Sequence, residues 1–383
     1  MLNNSVYNFM ILSCLFFINI ECTNAQNNSI SNIETFESLK FIEVTHYVDG
    51  SLMTDSKVDG TIYIKKQNKY YKREFSGSVK TSWFGALGDG RNDDTKPLQT
   101  AFDYAIMNNI SLEIDGKYLI TKPIIINRKV DELKYDRLFT IFSNSGGGFI
   151  TEKEIALFTT TLKSSGAPLS QLINFKDIIF ESKDISSKSN DRFKEIYVLD
   201  ASKFLRLQFN NCSFIGIRLL NTNKYIQSIY LFNCNIRRWT KDFIKSSERT
   251  YDLKVNGCLV EAGGTFLNIN EPYGCSILGS TIEGLFGSAI LFNGAEGLSI
   301  LGNYFEGNVQ GDVINLDKSY SNGIAIIGNF FYNTVGKYSI YWGKTNAGVS
   351  QANSSLSNLH SLSKYSDVTI KDNAKNKLSD KHR

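Results

Sequence analysis

Residues 298–306 read Leu-Ser-Ile-Leu-Gly-Asn-Tyr-Phe-Glu, and residues 324–332 read Ile-Ala-Ile-Ile-Gly-Asn-Phe-Phe-Tyr. Four earlier segments align with them without gaps, at residues 207–215, 229–237, 253–261 and 275–283. The sixth positions of the six segments fall at residues 212, 234, 258, 280, 303 and 329, which gives steps of 22, 24, 22, 23 and 26 residues. A repeat of this length is typical of a solenoid, in which each unit stacks on the next.

The columns of this alignment indicate which side chains face inward. The first, third and eighth positions are apolar in every segment, whereas the second is mostly polar or small. Two short strands with one buried face produce this alternation, and Asn and Gly form a bend between them. A third strand follows in four repeats, at residues 265–270, 289–293, 313–317 and 339–343. We therefore predict an all-β chain folded as a right-handed parallel β-helix with three strands per coil, because a β-sandwich would lack in-register columns.

The sixth column holds small or amide side chains, namely Cys212, Cys234, Cys258, Ser280, Asn303 and Asn329. One interpretation is a metal or redox site, and the second is a buried ladder of small groups at a turn. The ladder is favoured because free cysteine is among the most buried residue types. Stacked neighbours would also lie within disulfide reach, so one bridge could form in an oxidising compartment.

The first 25 residues contain an apolar run at residues 10–20, followed by the small-residue segment Thr23-Asn-Ala25. This pattern predicts a signal peptide over residues 1–25, and hence a secreted protein that is extracellular or periplasmic. No later segment reaches the ~20 apolar residues that a transmembrane helix requires. The net charge of +4 is small and its bases are scattered, which argues against a nucleic-acid partner.

An entry motif lies at residues 83–95, which read Trp-Phe-Gly-Ala-Leu-Gly-Asp-Gly-Arg-Asn-Asp-Asp-Thr and are followed by Leu98-Gln99 and Ala101-Phe102. It resembles the motif that opens the β-helix in the pectate-lyase superfamily, which includes polygalacturonase-related enzymes, rhamnogalacturonase-like proteins and phage tailspikes. The resemblance implies a small hairpin module over residues 26–80 and a β-helix over residues 81–345. We expect a helix near residues 95–107 to plug the open end of the solenoid. Residues 346–383 are expected to form a polar tail or a frayed terminal coil.

Three acids of the entry motif, Asp89, Asp93 and Asp94, could in principle form a calcium loop. They lack the alternating acid spacing of such a loop, so we expect Asp93, Asp94 or Thr95 to cap the helix instead.

Carboxylates are the candidate catalytic groups, because none of the three histidines lies in a repeat. The ninth column follows an inward residue and faces out; it contains Ile215, Arg237, Glu261, Glu283, Glu306 and Tyr332. Carboxyl groups one coil apart would lie ~5 Å from each other and those two coils apart ~10 Å, which brackets the separations used by retaining and inverting glycosidases. The competing interpretation is that these glutamates are solvated surface acids.

The third strands offer a competing site. Their outward positions are polar and comprise Asn268, Asn270, Asn293, Asn315, Asp317 and Tyr341. In the enzymes that this chain resembles, the corresponding sheet commonly lines the substrate groove. We therefore predict catalytic acids among Glu261, Glu283, Glu306 and Asp317, and substrate contacts from these asparagines, Tyr341 and Arg237.

The sequence predicts a secreted enzyme that acts on a polysaccharide, with a glycoside hydrolase favoured over a lyase. A lyase would need a base and a cation, and calcium is the one cofactor considered for that case. A non-catalytic glycan-binding or adhesive β-helix is the second hypothesis, and an epimerase is the third. The signature motifs of polygalacturonases are missing, so their mechanism is not carried over. Tailspike relatives are trimers and many secreted enzymes of this fold are monomers, so the chain is expected to be a monomer or a homotrimer.

Overall fold

The computed structural model describes residues 40–126, 138–159, 172–183, 196–200, 206–223, 225–307, 311–316, 319–334, 338–355, 359–364 and 366–375. The predicted signal peptide, residues 1–25, lies outside these residues. The chain divides into two units, Met1–Glu74 and Phe75–Arg383.

The first unit contains a small antiparallel sheet, as the resemblance implied. Its strands are Phe41–Val44, Tyr63–Lys66 and Lys69–Arg73, and the third strand lies between the other two. A short 3-10 helix, Asp55–Lys57, precedes the hairpin. Gln67 and Asn68 connect the two hairpin strands, both with positive φ, which is the geometry of a tight turn that suits twisted strands.

The second unit is a solenoid of three parallel sheets, here called sheets 1, 2 and 3 in the order in which each coil visits them. Sheet 1 has its main strands at Ser78–Lys80, Ser111–Glu113, Phe139–Phe142, Leu172–Lys176, Arg206–Asn210, Ser228–Phe232, Leu253–Asn256, Ser276–Leu278, Glu296–Leu301, Tyr320–Ile327, Lys344–Gln351 and Val368–Lys371. Two short strands beside this path are Thr250–Tyr251 and Pro272–Tyr273.

Sheets 2 and 3 complete each coil. Sheet 2 comprises Asp89–Asp93, Lys117–Leu119, Gly148–Thr151, Ile179–Ser182, Ser213–Ile215, Asn235–Arg237, Leu259–Glu261, Thr281–Glu283, Tyr304–Glu306, Phe330–Tyr332, Ser354–Ser355 and Ala374–Lys375. Sheet 3 comprises Ile124–Ile125, Ala156–Thr159, Tyr197–Asp200, Arg218–Thr222, Asp242–Ser246, Thr265–Asn270, Ile290–Asn293, Ile314–Asn315, Ile340–Tyr341 and His360–Ser361.

The predicted columns stack in register. Ile277 pairs with Ile300, and Ile300 pairs with Ile326 in the next coil; none of the three is exposed. Aromatic members of the columns also stack, and the rings of Phe305 and Phe331 lie 5.0 Å apart at an angle of 6°. Since each coil buries its inward side chains against its neighbours, the solenoid has one continuous core along its axis.

A helix, Thr95–Met107, closes the N-terminal end of the solenoid, as predicted. Its apolar face is fully buried and consists of Leu98, Ala101, Phe102 and Ala105. The ring of Phe102 lies within 5.5 to 6.4 Å of three phenylalanine rings, one from each sheet: Phe139, Phe149 and Phe158. The helix therefore covers core that would otherwise be open to water.

The acids of the entry motif organise the loop before this helix. Asp94 precedes the helix, but its carboxylate accepts hydrogen bonds from the backbone N–H groups of Leu87 (2.7 Å) and Gly88 (3.0 Å). Burial raises the pKa of Asp94. Asp93 accepts a bond from the backbone N–H of Thr95 (3.0 Å), so Asp93 rather than Asp94 supplies the side-chain bond to the first turn.

The solenoid extends beyond the predicted range of residues 81–345. It begins at the strand Ser78–Lys80 and continues to Ala374–Lys375, so most of the predicted tail forms further coils. The sequence pattern did not indicate these coils because their interior is polar: Thr345, Ser350 and Asn353 are fully buried.

The sixth column forms the buried ladder that the sequence favoured. A residue with positive φ precedes each member, for example Asn233 before Cys234 and Gly328 before Asn329, which explains the preference for Asn and Gly in the bend. The four described cysteines are buried and free, so no disulfide links them in this structure. In the later coils, asparagine side chains replace cysteine and bond from coil to coil.

Asn329 shows how this asparagine ladder satisfies buried groups. Its Oδ1 accepts from the backbone N–H and the Nδ2 of Asn303, both at 2.9 Å. Its Nδ2 donates to the carbonyl oxygen of Ile300 (2.9 Å) and to Oδ1 of Asn353 (3.0 Å). One side chain thus links three successive coils.

We expect Asn329→Ala to lower the free energy of unfolding by about 2–4 kcal/mol, because it leaves buried donors and acceptors without partners. Chemical denaturation measures the loss. Asn322→Ala, at an exposed position of sheet 1, is the control and should change stability little. Equal effects of the two substitutions would contradict the role of the ladder.

His360 introduces a titratable group into the polar C-terminal coils. Its Nδ1 accepts a hydrogen bond from Nε1 of Trp342 (3.2 Å), and its Nε2 lies 3.4 Å from Oγ of Ser350. Burial lowers the pKa of His360 from 6.5 to about 4. Protonation of Nδ1 would also direct its hydrogen at the N–H group of Trp342, which needs an acceptor there. The folded state therefore favours the neutral imidazole ring.

Because the pKa of His360 is lower in the folded than in the unfolded chain, its contribution to stability is complete above pH 6.5. That contribution is lost progressively as the pH falls from 6.5 towards 4. We expect wild-type protein to lose more stability over this range than His360→Gln does, in denaturant titrations at each pH. Parallel pH profiles for the two proteins would show that His360 does not titrate in this way.

Candidate functional site

Three glutamates form one outward row on sheet 2, here called the acid row: Glu261, Glu283 and Glu306. Glu261 pairs with Glu283, and Glu283 pairs with Glu306. The residue before each one points into the core and is not exposed, so the strand alternation directs the glutamates outward. Backbones of neighbouring strands lie ~4.8 Å apart, so the glutamates leave the backbone at that interval.

Aromatic rings flank the far end of the acid row. Tyr332 continues the row after Glu306, while Tyr304 and Phe330 occupy the neighbouring outward row. The rings of Tyr304 and Phe330 lie 5.7 Å apart, and those of Phe330 and Tyr332 lie 6.2 Å apart. The three rings form a half-exposed aromatic surface beside the carboxylates.

Tyr304 contacts the acid row directly. Its hydroxyl donates a hydrogen bond of 2.6 Å to Oε2 of Glu306. This bond is the main reason that the pKa of Tyr304 is raised to about 12, because an ionised phenol could no longer donate it.

Arg237 lies at the opposite end, where it pairs with Glu261. Asn235 is the neighbouring outward residue of the same strand. Nε of Arg237 and Oδ1 of Asn235 are shielded from solvent and have no hydrogen-bond partner. An unpaired donor and acceptor are costly when they are buried, so this end of the row carries unused hydrogen-bonding capacity.

The predicted polar strip of sheet 3 forms two rows. Asn315 and Tyr341 pair in one of them, and Asn268 joins this row through Leu291. Asn270 and Asn293 pair in the other row. Nδ2 of Asn293 donates to Oδ1 of Asn270 (3.0 Å), and Nδ2 of Asn270 donates to the carbonyl oxygen of Ser247 (3.0 Å). The side chains of this row are therefore largely occupied with each other and the backbone.

The acid row and the polar strip lie on different sheets, so the predicted residues form two surfaces. The structure brings together Arg237 and the three glutamates of sheet 2, whereas Asp317 lies outside the described residues. Among the residues that the structure describes, no group of three or more His, Cys, Asp or Glu side chains could hold a metal ion. The helices within the same residues are too short or too polar to span a bilayer.

Tyr304 and Phe330 are site residues that the sequence prediction missed. They occupy the seventh column of the repeat, two residues before the ninth, and therefore face out beside it. The period of two could have identified them, but aromatic residues in a strand are more often assigned to the core.

No protein-family model matches this chain. A curated Klebsiella pneumoniae sequence, an uncharacterised 65.4 kDa protein in the cps region, is 35% identical over 72 residues, which are 19% of this chain and 12% of that protein. The match thus spans about an eighth of that relative's length.

Solved structures resemble the fold over most of the chain. The tailspike protein of Acinetobacter phage vB_ApiP_P1 has a TM-score of 0.55 at 12% identity, and the matched region is 87% of this chain and 67% of the tailspike chain. The tailspike of Acinetobacter baumannii phage AM24 has a TM-score of 0.52 at 15% identity, and the matched region is 83% of this chain and 62% of the tailspike chain. At such identities the likeness concerns the fold alone. This chain has the parallel β-helix fold that phage tailspikes share with the pectate-lyase-like proteins.

Proposed function

We propose that this protein is a polysaccharide-active enzyme, specifically a glycoside hydrolase that acts outside the cell. The observation that carries the proposal is the acid row: three glutamates stacked in register on an outward face, with aromatic rings beside them. Export is inferred from the sequence of residues 1–25, and the protein acts as a monomer or a homotrimer.

The roles of the glutamates follow from their neighbours. Glu306 accepts the hydrogen bond from Tyr304, which fixes the position of its carboxylate, and it is the residue that attacks the anomeric carbon. Glu283 lies one coil away and is the acid that protonates the departing glycosidic oxygen. A separation of about 5–5.5 Å between carboxyl groups is typical of retaining hydrolases, and the backbones of neighbouring strands lie ~4.8 Å apart, which suits that class.

The chemical steps then balance within this pair. The bond from the anomeric carbon to the leaving oxygen breaks as Glu283 gives that oxygen its proton and Glu306 forms an ester with the sugar. Glu283, now ionised, removes a proton from water, and the resulting attack on the anomeric carbon releases Glu306. Glu261 and Arg237 lie farther along the same row and would contact neighbouring sugars.

The aromatic surface supports a saccharide substrate. A pyranose ring presents C–H groups on its face, which pack on aromatic rings, and hydroxyl groups at its rim, which need hydrogen-bond partners. Phe330 and Tyr332 supply the first kind of contact, and the acid row supplies the second.

A non-catalytic glycan-binding protein is the second candidate. The row Asn315–Tyr341 on sheet 3 favours it, because these side chains could bind sugar hydroxyls without chemistry. The two candidates differ in product formation, since only the hydrolase releases new reducing ends.

We expect Glu283→Gln and Glu306→Gln to lower the rate of reducing-end release by about 100-fold or more, because each removes an acid–base or nucleophilic group. A panel of neutral and acidic polysaccharides is the substrate set, and ultraviolet absorbance detects the unsaturated products of a lyase. Glu181→Gln is a matched control, since Glu181 occupies the same outward row of sheet 2 but is separated from the acid row by Ile215 and Arg237.

Activity that survives both substitutions would contradict the assignment of the acid row. Saccharide binding without new reducing ends or unsaturated products would favour the non-catalytic candidate instead.

A further inference from the structure

Three tyrosines follow one another along another edge of the solenoid, where sheet 3 leads into sheet 1. We call Tyr225, Tyr251 and Tyr273 the tyrosine ladder. The rings of Tyr225 and Tyr251 lie 5.0 Å apart at an angle of 64°, and those of Tyr251 and Tyr273 lie 5.4 Å apart at 40°, so the ladder advances by one tilted ring per coil. Tyr225 is 36% exposed and the other two are half-buried.

The backbone that carries the ladder is held by hydrogen bonds between coils. The short strands Thr250–Tyr251 and Pro272–Tyr273 pair with each other, in addition to the main strands of sheet 1. The N–H of Tyr251 donates to the carbonyl oxygen of Ile226 (3.0 Å), and Tyr273 pairs with Glu296 in the next coil. The rings are therefore arranged in advance, which lowers the entropic cost of binding.

An arginine and a glutamate frame the ladder. The guanidinium of Arg249 lies 4.6 Å from the centre of the Tyr273 ring, and two of its nitrogens contact Oε2 of Glu271 at 2.7 and 2.9 Å. The side chains of Arg249 and Glu271 are 40% and 51% exposed. Their remaining donors and acceptors can reach a ligand that lies on the rings.

We propose that the tyrosine ladder, with Arg249 and Glu271, is a saccharide-binding surface separate from the acid row. It would hold an uncharged segment of polysaccharide that runs along the solenoid axis, with successive sugars on successive rings. The ring surfaces that Arg249 does not cover contact the C–H groups of the sugars, and the Arg249–Glu271 pair bonds their hydroxyls. The surface lies at the edge of sheet 1, whereas the acid row lies on sheet 2, so binding here does not depend on catalysis there.

The local charges favour an uncharged ligand. Arg249 is paired with Glu271, and Lys254 is paired with Asp252 at 3.1 Å. The charges of these two pairs cancel, so Glu296, which lies beside Tyr273, gives the group of five residues a net charge of one negative unit. A phosphate backbone needs a basic surface, so nucleic acid fits poorly.

The shape favours a repeating polymer over a protein partner. The ladder is one ring wide and is flanked by the charged side chains of Arg249, Glu271 and Glu296, whereas a protein hot spot is an enclosed apolar patch. Its spacing follows the coil repeat of ~4.8 Å, and a polysaccharide is a ligand that offers equivalent groups at a regular interval.

The test measures binding in the background Glu283→Gln/Glu306→Gln, so that no polymer is cleaved. The probes are dextran, galactomannan and xylan as neutral polymers, polygalacturonate and hyaluronan as acidic polymers, and single-stranded DNA. We expect at least one neutral polymer to bind, and Tyr251→Ala to weaken its binding by about five- to tenfold. Tyr273→Ala should act similarly, whereas Tyr273→Phe keeps the ring and is the matched control.

Binding that the triple alanine variant of the ladder leaves unchanged would overturn the proposal. So would the absence of binding to every neutral polymer, or binding to DNA alone. The failure of the acid row as a catalytic site is a distinct result, because it is measured by product release, which this binding experiment does not use. Circular dichroism of each variant confirms that the coils remain folded.

Discussion

The structure depends on the burial of inward side chains that repeat in register from coil to coil. A single coil has three short strands and cannot enclose its own apolar residues, so each one is stable only against its neighbours. Ile277, Ile300 and Ile326 illustrate this constraint, because each covers the next and none is exposed. At the N-terminal end the first coils have no preceding coil, and Phe102 covers their inward side chains instead.

The register of the interior also arranges the surface. Because side chains alternate along a strand, an inward column fixes the outward columns beside it, and a slip of one residue would exchange them. Glu261, Glu283 and Glu306 form one row for this reason, and the hydrogen bond from Tyr304 distinguishes Glu306 from the others. A row of carboxylates and an aromatic surface thus result from a packing rule rather than from a dedicated loop.

The same rule explains what the sequence could and could not predict. The apolar columns and the acid row were predictable because each repeat has an apolar residue at a fixed position, and the capping helix was predictable from the entry motif. Residues 346–383 were predicted only as a polar tail or a frayed terminal coil, because Ser350 and Asn353 occupy inward positions and are joined by a hydrogen bond, which hydrophobic periodicity does not report. The tyrosine ladder was missed because its members lie at or near two-residue strands beside the main path of sheet 1, where spacing varies and alignment requires the coordinates.

Disulfide trapping tests the register of the acid row most directly. Stacked neighbours in a parallel sheet have Cα atoms within the range that a disulfide can span. The pair of substitutions Glu283→Cys and Glu306→Cys should therefore form a disulfide under mild oxidation, detected by mass spectrometry of a digest, while Glu261→Cys with Glu306→Cys, two coils apart, should not. A bridge in the second pair and none in the first would contradict both the register and the proposed catalytic site.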